Sequence, residues 1–170
     1  MTQPRLIVIA LDPATAGSQK ASQHVVAWVR DNLCNPERDH FDLVCALSLD
    51  SEFDENELDL TSGCDRSYLL EMEEKIVSEA QNAMERYAQF LRQAGARTDV
   101  HVLKSWTDTR DLIANYVEKS RADLLVMGSR DLSVWKRYFL GSFSDYVQHH
   151  CHCPVVIVKD TEKRRPSLEE

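Results

Sequence analysis

Two short segments of this chain combine residues that suit the binding of a phosphorylated ligand. Asp12 directly follows the apolar run 6–11, and its carboxylate could accept hydrogen bonds from a ribose diol. Gly128 follows a second apolar run, 124–127, and a glycine at that point lets the backbone approach a ligand closely. If both runs are parallel strands, Asp12 and Gly128 come together at the ligand-binding edge of the sheet.

Hydroxyl and cationic groups follow Gly128 along the chain. Gly141 and Ser142 open a helical pattern whose first N–H groups favour an anion, Ser144 adds a second hydroxyl, and Arg130 could pair with a phosphate. These residues describe a small nucleotide pocket. A structural interpretation is equally open from the spacing alone, because Gly128 could be a turn glycine, Ser142 a helix cap and Asp12 a cap of the turn before Pro13.

Several familiar chemistries are missing from the sequence. It contains neither a Gly-x-x-x-x-Gly-Lys-Ser/Thr segment nor a Gly-x-Gly-x-x-Gly after the first apolar run, so the standard phosphate cradles are excluded. No nucleophile with a base and no general acid–base pair is evident, and we expect a binding protein rather than an enzyme. The run 149–153, His-His-Cys-His-Cys, holds zinc donors, but adjacent side chains diverge, so no metal site is predicted.

The hydrophobic pattern predicts strands that alternate with helices. The predicted strands are 6–11, 41–49, 100–103, 124–127 and 154–158. Of the helices between them, the first follows a possible cap at Ser18, and the other three cover 67–94, 109–119 and 143–150. Such alternation is typical of an α/β fold with an open, five-stranded parallel sheet and helices on both faces, Rossmann-like in architecture. Ligands of these sheets bind beyond the carboxyl ends of the strands, where the strand order reverses.

Composition limits the other function classes. The 170 residues are 43% apolar and 28% charged, which fits one domain, expected over 1–160, with a charged tail over 161–170. The formal net charge of -8 argues against nucleic-acid binding. No apolar run approaches the ~20 residues that span a bilayer, and no secretory apolar region is seen, so we expect no membrane partner. Five irregularly spaced cysteines predict a reducing, cytoplasmic location.

Three segments resemble the carboxyl-terminal signature of the universal stress protein family. They are Val-Met-Gly-Ser-Arg at 126–130, Leu-Gly-Ser-Phe-Ser-Asp-Tyr-Val-Gln-His-His at 140–150 and Cys-Pro-Val-Val-Ile-Val at 153–158. Segments 7–12 and 122–128 match as well, and the resemblance covers roughly residues 5 to 159. It implies strand order 3-2-1-4-5 and a homodimer.

The family resemblance also implies a choice between two groups of proteins. One group binds ATP or AMP through the pattern Gly-x-x-Gly-x9-Gly-Ser/Thr, and the other group lacks the pattern and does not bind. Gly128 and Gly141-Ser142 match its ends, but Asp131 stands at the second glycine. A carboxylate ~4 Å from a phosphate charge would be repelled by roughly 4 kcal/mol at an effective dielectric of 20, unless a bound Mg²⁺ used Asp131 as a ligand.

By the family pattern, adenine would rest near Met127 and near Leu47 or Ser48, with the alignment of the second strand uncertain by one residue. The complete predicted pocket is Asp12, Leu47, Met127, Gly128, Arg130, Asp131, Gly141, Ser142, Phe143 and Ser144. The sequence thus predicts a stress-response, adenine-nucleotide-binding homodimer that acts as a sensor or adaptor. The alternative is a dimeric interaction protein with a vestigial pocket. We further hypothesise that Ser167, which follows two arginines and a proline, is phosphorylated.

Overall fold

The computed structural model describes residues 4–14, 16–48, 66–105, 108–129 and 142–159. Strands and helices alternate along this part of the chain. In order they are β1 (Arg5–Ala10), α1 (Ala16–Asn32), β2 (Asp39–Ser48), α2 (Arg66–Gln93), β3 (Arg97–Ser105), α3 (Thr109–Ser120), β4 (Leu124–Gly128), α4 (Ser142–His150) and β5 (Val155–Val158). The predicted tail and Ser167 lie outside the described residues.

The five strands form one parallel sheet in the order β3-β2-β1-β4-β5, which confirms the predicted fold class and strand order. β1 is the central strand, and its Ala10 pairs with Val44 of β2 on one side and with Met127 of β4 on the other. The chain extends the sheet first through β2 and β3 and then returns to the other side of β1. The strand order therefore reverses between β1 and β4, where an open sheet of this type forms its ligand crevice.

Each face of the sheet is covered by its own pair of helices. Alternate residues of β1 point to opposite faces, so that Ile7 and Ile9 pack with α1 and α2 while Val8 packs with α3 and α4. Central residues of the sheet and the helices have no exposure at all, among them Val29, Leu91 and Leu125. Burial on both faces explains why β1 is a continuous apolar run rather than an alternating one.

The helix boundaries follow local chemistry. Gly95, just beyond α2, has φ +86°, a left-handed conformation that favours glycine and is typical of a helix end. Asp108 caps α3 by accepting a hydrogen bond from the Arg110 N–H at 2.8 Å. The prediction that Ser18 caps α1 is wrong, because α1 begins at Ala16 and includes Ser18. None of the described helices is long and apolar enough to cross a membrane.

Candidate functional site

The turn between β1 and α1 holds Asp12 in a defined position. Its Oδ1 accepts a hydrogen bond from the Ala14 N–H at 3.0 Å, and its Oδ2 accepts one from the Ser18 hydroxyl at 3.2 Å. The Asp12 N–H donates to the buried Ser22 Oγ at 3.2 Å, and the Ser22 hydroxyl donates to the Asp12 carbonyl at 3.1 Å. Four local bonds thus fix both the backbone and the carboxylate of this residue.

Helix α2 also supports the turn that carries Asp12. The Tyr87 hydroxyl of α2 donates to the Gln19 carbonyl at 3.3 Å, and the Gln19 side-chain amide donates to the Pro13 carbonyl at 3.0 Å. Burial raises the pKa of Tyr87 above its ordinary value, with the negative charge of Asp12 acting in the same direction. The phenol therefore stays protonated as a donor at neutral pH. The turn that carries Asp12 is preorganised by packing as well as by local hydrogen bonds.

Gly128 ends β4, the strand beside β1. Since Ala10 pairs with Met127, Gly128 and Asp12 lie at the carboxyl ends of adjacent strands. A Cβ added at Gly128 would meet Val25 Cγ2 of α1 at 3.0 Å, tighter than nine in ten real Cβ contacts. The glycine therefore lets α1 pack across the end of β4, a structural role more specific than that of a turn glycine. The next residue, Ser129, donates its N–H to the Val158 carbonyl at 2.9 Å.

The two residues expected beside adenine do not share a face. Leu47 belongs to the core cluster under α1 and α2, whereas Met127 belongs to the cluster under α3 and α4. Both side chains are buried. The expected pairing of Leu47 with Met127 in one apolar slot therefore does not occur. Val44 and Ala46 of β2 belong to the cluster that contains Met127, and the side chain of Ser48, the other residue that the alignment allowed, lies outside the described part of the structure.

The start of α4 carries the remaining described members of the predicted pocket. Ser142 is its first residue, Phe143 packs against the core cluster under α3 and α4, and Ser144 is buried. The Tyr146 hydroxyl of α4 donates to Asp111 in the first turn of α3, which ties the two helices together. Arg130, Asp131, Gly141 and the side chain of Ser142 lie outside the described part of the structure.

The histidine- and cysteine-rich run 149–153 is engaged in separate local contacts. His149 and His150 each donate from Nδ1 to a backbone carbonyl four residues earlier, and His152 lies 3.4 Å from a carboxylate oxygen of Glu118. Burial raises the pKa of the Cys151 thiol to about 11, with contributions from Cys153 and Glu118. This thiol therefore stays protonated at neutral pH. These contacts give no common point at which the side chains converge.

Sequence reasoning missed a polar cluster at the opposite end of the sheet. His40 and Asp42 of β2 lie beside Asp99 and His101 of β3, and three of the four offer ligand atoms within 4.8 Å of one another. The sequence carries a signal for this cluster, His-x-Asp in one strand and Asp-x-His in the next. Residues two apart share a face of a strand, so each pattern places its two side chains on the same face. Only the strand register shows that the two patterns face each other.

Curated relatives match parts of the chain. Universal stress protein PHOS34 of Arabidopsis thaliana is 38% identical over 77 residues, which are 44% of this chain and 29% of the relative. Universal stress protein MJ0531 of Methanocaldococcus jannaschii is 30% identical over 90 residues, or 53% of this chain and 52% of the relative. These matches span about half or less of the relatives' own length.

A solved structure matches the fold over nearly its full length. The universal stress protein family protein At3g01520 of Arabidopsis thaliana, determined with AMP bound, superposes with a TM-score of 0.61 at 17% identity and covers 97% of this chain and 98% of its own. The model that describes the Universal stress protein family matches residues 5–159. This chain therefore belongs to the universal stress protein family.

Proposed function

We propose that this protein binds an adenine nucleotide at the carboxyl ends of β1 and β4 and acts in the stress response as a sensor or adaptor. The observation that carries the proposal is the placement of Asp12 beside Gly128 at the point where the strand order reverses, with the Asp12 carboxylate held by Ala14 and Ser18. The AMP bound to the related Arabidopsis protein supports the same ligand class.

Each described residue has a distinct role in this proposal. The Asp12 carboxylate, with about four acceptor positions, accepts hydrogen bonds from the ribose hydroxyls in addition to those of its own turn. Gly128 allows the base and sugar to approach the backbone at the end of β4. The amino end of α4, beginning at Ser142, directs N–H groups towards a phosphate. Arg130 is proposed to pair with that phosphate, and Gly141, which has no side chain, is proposed to leave room for it.

Asp131 decides which nucleotide is preferred. Its negative charge at the second glycine position of the family pattern disfavours a triphosphate more than a monophosphate. We therefore propose AMP as the better ligand and ATP as the weaker one, with Mg²⁺ improving ATP binding if Asp131 serves as a ligand. The protein is proposed to work as a homodimer in the cytoplasm, by binding rather than by catalysis. The alternative function, an interaction protein with a vestigial pocket, follows if Asp131 blocks the site.

Isothermal titration of AMP and of ATP, each with and without Mg²⁺, tests the proposal. Asp12→Asn removes the charge while keeping an oxygen for the Ala14 N–H, and we expect AMP binding to weaken by about 10-fold or more, because hydrogen bonds to charged groups contribute ~1.5–3 kcal/mol. Asp108→Asn is the matched control, since Asp108 accepts the same kind of bond from the N–H two residues onward. It should leave AMP binding unchanged.

The same titration separates the two functions. If the wild-type protein binds AMP and Asp12→Asn weakens it, the pocket is active as proposed. If only Asp131→Gly binds nucleotide, the fold carries a disabled site and the interaction protein becomes the better description. Equal AMP affinity of the wild type, Asp12→Asn and Asp108→Asn would remove Asp12 from the site.

A further inference from the structure

Four potential ligands share one face at the amino end of the sheet. His40 and Asp42 are two residues apart on β2, and Asp99 and His101 are two residues apart on β3. Asp42 pairs directly with Asp99 in the strand register, which places all four on the face that packs against α3. We call these four residues the amino-end quartet. It lies apart from the nucleotide site proposed at the carboxyl ends of β1 and β4.

Three members of the quartet, His40, Asp42 and Asp99, already offer ligand atoms within 4.8 Å of one another, and the partly exposed imidazole of His101 would have to turn towards them to complete a tetrahedral site. Asp42 Oδ1 lies 3.5 Å from His40 Nε2 and 3.6 Å from His101 Nε2. Two ligand atoms ~2.1 Å from a zinc ion lie ~3.4 Å apart at the tetrahedral angle. His40 Nε2 is 2.7 Å from Asp99 Oδ2, a hydrogen-bond distance that would lengthen around a metal. Asp99 can move, because its side chain is 61% exposed.

Electrostatics favours a cation at this position. Asp42 and Asp99 are carboxylates directly opposite each other on neighbouring strands, an arrangement that is destabilising without a positive charge between them. The Asp42 side chain is nearly buried, which increases the cost of its charge. A divalent cation bound by both carboxylates would neutralise them together, whereas a neutral imidazole supplies only a hydrogen bond.

A half-buried tyrosine orients the central ligand. The Tyr116 hydroxyl of α3 donates to Asp42 Oδ2 at 2.8 Å, and Oδ1 faces the two imidazoles. A hydrogen bond from outside the ligand set that fixes a ligating carboxylate is a regular feature of protein metal sites.

The quartet is accessible from solvent. It lines an open cleft of about 490 Å³ at the amino end of the sheet, together with Leu6 and Asp123. The side chains of His40 and His101 are 40% and 37% exposed. Arg5 also lines the cleft, but its guanidinium is bound to the Asp39 carboxylate at 2.7 and 3.0 Å. A metal ion can therefore reach the imidazoles without displacing a helix.

We propose that the amino-end quartet binds Zn²⁺, with His40, Asp42, Asp99 and His101 as its ligands and Tyr116 as the residue that positions Asp42. Two imidazole nitrogens and two carboxylate oxygens form a set that suits zinc, whereas Mg²⁺ and Ca²⁺ prefer oxygen ligands alone. The ion would join the two strands at one edge of the sheet, since β3 is an edge strand. Zinc binding would therefore stabilise the pairing of β2 with β3.

Isothermal titration of ZnCl₂ into the full chain tests the proposal, with Co²⁺ absorption in the visible range reporting tetrahedral geometry. We expect one tight site in the wild type. The double variant His40→Ala/His101→Ala should lose it, while the matched double variant His149→Ala/His150→Ala keeps it. Tyr116→Phe should weaken zinc by about 10- to 100-fold, the usual effect of removing a hydrogen bond to a ligand. Circular dichroism checks that each variant is folded.

Asp99→Asn provides an independent test, because this exposed side chain can be changed without disturbing the core. Weaker zinc binding by Asp99→Asn supports the quartet even if the double histidine variant does not fold. Equal zinc affinity of the wild type and Asp99→Asn overturns the four-ligand site. Loss of zinc binding in His149→Ala/His150→Ala but not in His40→Ala/His101→Ala would also overturn it and assign the metal to the carboxyl-terminal histidines.

Discussion

Asp39 provides a direct test of what holds the amino end of the sheet together. Its side chain is fully buried at the start of β2 and accepts hydrogen bonds from Arg5 Nε and Nη2 at 3.0 and 2.7 Å. Arg38 Nε donates to it at 3.2 Å and the Asn35 N–H at 3.1 Å. One carboxylate therefore links β1, β2 and the connection that follows α1. We predict that Asp39→Ala destabilises the fold.

The expected loss of stability in Asp39→Ala follows from how far the ion pairs of Asp39 are buried. Removing one partner of a buried ion pair costs ~3–5 kcal/mol, because the other charge is left buried and unpaired. Arg5 is 27% exposed and Arg38 is 34% exposed, so water can replace part of the lost interaction. We therefore expect Asp39→Ala to lower the free energy of unfolding by about 2–3 kcal/mol. That is a large fraction of the ~5–15 kcal/mol that stabilises a typical domain.

The pH dependence provides a second, independent check. Burial alone would raise the pKa of Asp39, but the Arg5 guanidinium, the Asn35 N–H and Arg38 together hold it below its ordinary value. A carboxyl whose pKa is lower in the folded state contributes stability above its unfolded pKa of about 4 and loses that contribution as the pH falls through the folded pKa. The difference between the wild type and Asp39→Ala should therefore shrink in acid.

Urea unfolding followed by circular dichroism at pH 7 and at pH 3 measures both effects. Asp31→Asn is the matched control, because Asp31 forms an exposed pair with Arg30 and such pairs contribute little. A loss of less than about 0.5 kcal/mol in Asp39→Ala at pH 7, or a loss that is the same at both pH values, would refute the role assigned to this carboxylate.

Three further predictions concern packing and titration. Gly128→Ala should lower the free energy of unfolding by ~1 kcal/mol, because the added methyl group overpacks against Val25. A double-mutant cycle with Val25→Ala, measured by urea unfolding, should show that the two changes are coupled, and additive effects would contradict the contact. Leu91→Ala should lower the free energy of unfolding by ~2–5 kcal/mol, because Leu91 is fully buried. Leu70→Ala, at an exposed position, should change it by under about 0.5 kcal/mol, and similar losses in the two variants would contradict the assigned core. Tyr116 should ionise above the ordinary tyrosine range in an absorbance titration at 295 nm, because burial and a neighbouring carboxylate raise its pKa, and an ordinary titration would contradict that environment.

The fold was predictable because its signals are local and repeated. The continuous apolar run of β1 predicts a strand buried on both faces, and Ile7, Val8 and Ile9 are fully buried. The glycine at 95 marks the end of α2 because its φ of +86° suits no other residue well. Strand order required more than these signals, and it came from the family resemblance, since periodicity does not indicate which strands become neighbours.

The candidate sites were less predictable because they depend on register and on tertiary bonds. Leu47 and Ala46 are both apolar, so hydrophobicity does not show which of them shares a face with Met127. Ser18 has the chemistry of a helix cap, but it donates instead to Asp12 six residues earlier. Asp42 and Asp99 lie 57 positions apart in the chain, and only the pairing of β2 with β3 brings them together.

The two proposed sites use opposite ends of one sheet, and that separation has a physical consequence. Asp42, the central ligand of the quartet, pairs with Val8, so the four residue steps from Val8 to Asp12 separate it from the turn that carries Asp12 by about 13 Å at ~3.3 Å per residue. This distance exceeds the ~8 Å over which charges interact at physiological ionic strength. A zinc ion at the quartet would therefore influence the turn that carries Asp12 only through the packing of α3 and the strands. Since Ile7, Val8 and Ile9 of β1 are fully buried between the two ends, any coupling between the sites has to pass through this packed core rather than through direct electrostatic interaction.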